Sequence, residues 1–250
     1  MIKFFRRIRQ KLIEGGNVKR YLLYAVGEIL LVMIGILLAL QVNNWNQNRL
    51  ERNDEQQALL NLKKDFELNQ SNLQQVINRF QNEIKGTANI LNHTGERYHT
   101  NSNVDLDSLL ILATSTPRYF PQNSFLNELI NSGKLSLIQN EDLKIRLSSW
   151  QTSINYIVDR TDINHSASIE LSKFVTKYGN WLRIDSRFKL GTLNLPPSGF
   201  NDDNFQLLQK REFENLLDLQ LVYKDGLLGA FNSALEVCQI IQGKIDEEID

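Results

Sequence analysis

The chain has 250 residues, 42% of them hydrophobic, with 28 basic against 29 acidic side chains and a formal net charge of −1. A single cysteine, Cys238, excludes an intramolecular disulfide and any multi-cysteine zinc site. Residues 1–20 carry +6 and residues 29–250 carry −6, so the body has the wrong sign for a phosphate backbone, which argues against a nucleic-acid binder.

The first stretch, "MIKFFRRIRQKLIEGG", sets Phe4, Ile8 and Leu12 at helical spacing beside Arg6, Arg7, Arg9 and Lys11. Two readings stand. One is a short helix lying in the inner leaflet, its basic residues on anionic headgroups. The other is a disordered basic tail that only fixes topology. On the first reading Gly15 and Gly16 break that helix from the spanning one.

From Tyr21 to Val42 the chain is almost all apolar, and Glu28 is its one charged residue. Its 22 residues match the roughly 20 that cross a bilayer as a helix. Seven basic residues precede the span and Trp45 follows it, which predicts a cytoplasmic N-terminus and residues 43–250 on the far side. A cleaved signal peptide fits less well, because "LALQVNNW" offers only Ala39 followed by Gln41 in place of a small-residue cleavage site. Glu28, Gly35 and Ala39, 7 and 11 residues apart, share one helical face. Small residues there let a second membrane helix approach, from this chain or another. A carboxylate snorkelling to the headgroups is the other reading of Glu28.

Beyond the span, Leu59, Leu62, Phe66, Asn69, Leu73, Val76 and Phe80 follow a 3-4 spacing that predicts a bundle helix. Asn69 is its polar intruder, either a buried register-setter or a solvated edge. Residues 93–103 read as a helix end and loop, "VDLDSLLILA" as a short helix, and "STPRYFPQ" as irregular because Pro117 and Pro121 forbid a helix. Ser124 opens another short helix with Gly133 as its C-terminal cap. Asn140 caps a long one whose stripe of Leu143, Leu147, Trp150, Ile154 and Ile157 turns polar at Thr161, Asn164 and Ser168 before Leu171 and Phe174. Residues 179–203 read as an irregular connection, with Asp202 or Asp203 capping a final helical pair. Cys238 falls on the last apolar stripe and reads as packing.

Two blocks, "MIKFFRRIRQKLI" with "KRYLLYAVGEILLVMIGILLALQVNNWN", and "LNELINSGKLSLIQNEDLKIRLSSW" at 126–150, resemble an uncharacterised family of single-pass membrane proteins from Bacteroidota. The resemblance implies an inner-membrane anchor, a helical periplasmic body and no established activity, and it brings no catalytic residues.

Chemistry has few footholds in the sequence. Glu96 with His99 and Asp162 with His165 copy half of the carboxylate-histidine pattern of bundle di-iron sites, but two further carboxylates are lacking, so no metal and no cofactor is expected. No nucleophile motif or phosphate-binding glycine loop is present. The expected fold is all-α: a basic cytoplasmic segment at 1–20, a transmembrane helix at 21–42 continuing into a periplasmic helical bundle at 43–250. The expected function is non-enzymatic, an accessory or interaction subunit whose partners are membrane lipid and another membrane protein or a second copy. The alternative is a small-ligand sensor with Thr161, Asn164 and Ser168 lining a cavity. About 20 cytoplasmic residues hold no signalling domain, so a partner would have to relay its output.

Overall fold

The computed structural model describes residues 18–97, 103–189 and 192–249, all helix, turn or irregular, with no strand among them. The chain divides into two compact units, residues 1–56 and 57–250. Helix α1, Val18–Leu91, has no proline to interrupt it and belongs to both.

In the first unit α1 is exposed on all sides from Leu22 onward apart from partly covered Tyr24, Ala25, Glu28 and Arg52 and buried Glu55, with Gln56 partly covered. It contains an 18-residue window of mean hydropathy 2.5, none of it buried, and is long and apolar enough to cross a membrane. Trp45 is exposed, and the Arg49 guanidinium lies 5.5 Å from its ring centroid.

The second unit is an antiparallel bundle. The stripe on α1 is buried at every expected position, Asn69 included. After a 3₁₀ turn at Gly95–Arg97, the chain returns along α1 through a broken arm. Its pieces are α2, Leu106–Thr114, an extended strap over 115–123, α3, Ser124–Asn131, and a 3₁₀ turn, Lys134–Leu137. Pro117 and Pro121 keep the strap from coiling. Gly133, at φ 72°, turns the chain after α3 in a left-handed conformation that suits glycine. Gly86 lets α2 sit close on α1, since a Cβ there would lie 2.6 Å from Leu112 Cδ1.

Helix α4, Glu141–Tyr178, starts where the Asn140 side chain accepts from the Leu143 amide, with Glu141 and Asp142 favourably placed in its first turn. Residues 179–203 are not wholly irregular. Asn180 caps a further helix, α5, Trp181–Phe188, and Ile184 is its buried residue. The expected final pair is one helix, α6, Arg211–Glu248, preceded by a 3₁₀ turn, Asn204–Gln209, in which Asp203 accepts from the Phe205 amide. Helix α6 runs antiparallel to α4: Asn140 donates to Glu248 at 2.7 Å, and Leu217 packs near Leu171 at the other end.

Two apolar cores result. One joins α1 residues 58–80, α3, the first half of α4 and α6 from Leu227 onward. Phe66 meets Trp150 edge-on at 5.3 Å, and Phe80 meets Phe231 at 5.9 Å. The other joins Ile90, α2, the end of α4, Ile184 and α6 up to Leu217. Each large apolar side chain so buried contributes roughly 1.5–3 kcal/mol. Between the two cores lies a layer of polar groups.

Candidate functional site

The polar layer is built from three helices and the strap. On α6 the apolar stripe is replaced at Gln220 and Lys224, both wholly buried. Lys224 Nζ donates to the carbonyls of Leu112 at 3.2 Å and Ser115 at 2.9 Å. These carbonyls end α2, where a cation also meets the negative end of the helix dipole. The same ammonium lies 3.3 Å from Glu83 Oε2 and 5.1 Å from the centroid of Phe80. Glu83 Oε1 in turn accepts from the Ser115 hydroxyl. Burial pulls the Lys224 ammonium below the ordinary lysine pKa, and the Glu83 charge opposes that fall.

One turn along α6, Gln220 Nε2 donates to Ser168 Oγ at 2.8 Å and Asn164 Oδ1 at 3.2 Å. Asn164 Nδ2 donates to Thr116 Oγ1 at 3.0 Å, and the hydroxyls of Thr116 and Ser168 are 2.9 Å apart. Gln220 Oε1 has no partner among the described residues. Asn164 and Ser168 therefore spend their polar groups inside the bundle. Of the three residues expected to line a cavity, Thr161 borders a hollow of about 250 Å³ with Arg118, Tyr119, Phe120, Pro121, Ile154, Ile157, Val158 and Asp162, while Asn164 and Ser168 bond within the layer.

A second polar knot holds the strap. Asn69 Oδ1 accepts from Tyr119 Oη at 2.8 Å and the Gln122 amide at 2.7 Å, while Nδ2 donates to the Gln122 carbonyl at 2.9 Å. Trp150 Nε1 donates to Asn123 Oδ1, and the Phe125 amide to Asp65. Burial raises the Asp65 carboxyl, against the pull of the Phe125 and Leu126 amides. The buried Tyr119 phenol is raised too, chiefly by burial.

At the far end of the bundle Arg187 grips Asp105 through both terminal nitrogens, at 2.6 and 2.8 Å. That grip holds the Asp105 carboxyl below its usual range. Buried Asp107 accepts from Arg183 at 3.0 Å and Asn204 at 2.7 Å. Asn204 also takes the Asn180 amide. A hollow of about 260 Å³ opens beside these groups. Sequence reading missed this knot and the Lys224 layer, since their partners lie 24 to 141 residues apart.

The remaining candidates are scattered. Gly35 and Ala39 are exposed and Glu28 is partly covered, beside a hollow lined by Tyr24, Gly27, Leu31 and Val32. Arg6, Arg7, Arg9 and Lys11, expected on lipid headgroups, lie outside the described residues, as does His99. Glu96 sits in an exposed turn, and Asp162 and His165 are exposed on α4. Among the described residues no group of three or more histidine, cysteine or carboxylate side chains is placed to hold a metal ion. Cys238 is wholly buried, donates to the Phe66 carbonyl, and burial has pushed its thiol up to about 12.

No curated protein and no solved structure matches the chain. A family model does match, over residues 28–183. The chain belongs to that family, a family of unknown function designated DUF6090.

Proposed function

We propose that the protein is a membrane-anchored, non-enzymatic accessory subunit that joins a membrane complex through its anchor helix. Its basic N-terminus faces the cytoplasm and its helical body the periplasm. The reading rests on the composition of α1: an unburied window of mean hydropathy 2.5, with basic residues before it and none within it. The body supports it indirectly, because its buried polar groups bond mainly to each other and to the backbone.

Gly35 makes the reading testable. A Cβ at Gly35 would meet nothing within 4 Å, so a leucine fits the chain itself and obstructs only a neighbouring helix. The experiment is affinity purification of tagged full-length protein from native membranes in mild detergent, with mass spectrometry of what stays bound. A stoichiometric partner that is lost from Gly35→Leu, with unchanged thermal stability, is the expected result. A partner retained by Gly35→Leu, or no partner at all, overturns the reading.

A further inference from the structure

The strap between Pro117 and Pro121 holds two neighbouring aromatic residues in opposite senses. Tyr119 is buried and bonded to Asn69, whereas Phe120 is 75% exposed. This outward phenyl does not ride on a loose loop. Thr116 is tied to Asn164 and Ser168 on one side of it, and Gln122 and Asn123 to Asn69 and Trp150 on the other. A large apolar group fixed in water has lost its freedom before any partner arrives, which is the economy of a preorganised contact.

Beside Phe120 lies the hollow of about 250 Å³ walled by Ile154, Ile157, Val158 and Pro121. Val158 on its wall is 50% exposed. A knob next to a hole is the shape a two-fold contact requires, because each copy then offers what the other accepts. The charges have the same property. Arg118 and Asp162 both border this hollow and both are exposed. Neither the Arg118 guanidinium nor the Asp162 carboxylate is engaged by another described side chain. A two-fold axis placed to bring Arg118 of each copy to Asp162 of the other would make that pairing twice.

We propose that this face is a self-association site, in which Phe120 of each copy enters the hollow walled by Ile154, Ile157 and Val158 of a second copy. The Arg118 and Asp162 charges pair across the contact and set its register. The site lies wholly within residues 57–250 and does not depend on the anchor reading.

The test uses the full-length chain expressed with a photoreactive phenylalanine analogue at position 120 and irradiated in intact cells. The expected product has twice the chain mass, with the cross-linked peptide containing residues 154–162. Arg118→Glu alone and Asp162→Arg alone should each lower its yield about tenfold, since like charges then face each other twice. The double variant Arg118→Glu/Asp162→Arg should restore it. Both positions are exposed, and unchanged thermal unfolding of the single variants checks that the fold is intact. A cross-link to a different protein, a yield indifferent to the single reversals, or a double variant that fails to recover overturns the proposal.

Discussion

Lys224 on α6 lies 3.3 Å from Glu83 on α1, with its side chain wholly buried and two carbonyls of the α2 end in its grasp. Removing Lys224 leaves the Glu83 carboxylate, only 13% exposed, without its cation and the Leu112 and Ser115 carbonyls without their donor. Lys224→Met should therefore cost about 3–5 kcal/mol. Lys224→Met combined with Glu83→Gln should recover part of that loss, a coupling that chemical denaturation of the four proteins measures directly.

The same lysine predicts a pH dependence. Its folded pKa is lowered from the ordinary 10.5 by burial, so between the folded value and 10.5 the unfolded chain holds the proton more tightly. Stability contributed at this position must rise with pH through that window. Wild type measured against Lys224→Met should thus gain stability as pH rises towards 10.5, and a difference that stays flat or falls would contradict the assignment.

Asn69 closes three hydrogen bonds to the strap. Asn69→Leu leaves the Tyr119 hydroxyl and the Gln122 amide without their partner, and the expected loss is about 2–3 kcal/mol. Amide hydrogen exchange checks the location: protection should fall at Gln122 and hold at Leu147 and Phe231.

How far the sequence foretold this bundle depends on the distance between partners. The 3-4 stripes on α1 and α4, the Asn140 cap and the Gly133 turn are local patterns, and each is found in place. On α6 Phe231, Cys238, Ile241 and Ile245 are buried, but Leu228 and Leu235 are only partly covered and Leu227 and Ala234 take the inner positions. Asn69 could be read as core or edge, because one helix alone does not say what faces it. Helix α5 was overlooked, although Asn180 before Trp181, Ile184 and Phe188 carries a cap and a repeat. The Gln220 and Lys224 layer had a faint signal: a polar break on α4 at 161–168 demands a matching break on whatever packs there. What identifies that match is the antiparallel pairing of α4 and α6, which no short window contains.

Gly179 joins α4 to α5 at a tight place. A Cβ there would sit 2.7 Å from Asn204 Oδ1 and 3.0 Å from the Val175 carbonyl. Gly179→Ala should displace Asn204 from the Asn180 amide and cost about 1–3 kcal/mol, seen as a lower unfolding midpoint.

The Cys238 thiol, buried and pushed up to about 12, has almost no thiolate near neutral pH. It should stay silent to a thiol reagent at pH 8 in the folded protein and react fully once denaturant is added. Rapid labelling without denaturant would show that this core opens more readily than its packing implies.

The layer at Glu83, Asn164, Gln220 and Lys224 also acts as a vernier for the helices around it. Leucines facing leucines tolerate a shift of one turn, but an ammonium slid against the apolar band at Leu227 or Leu217 would lose every partner it has. Apolar residues above and below this layer can therefore be exchanged for others of similar volume at modest cost, whereas inserting or deleting a turn of α6 on either side would misalign one half of the bundle with its own polar ruler.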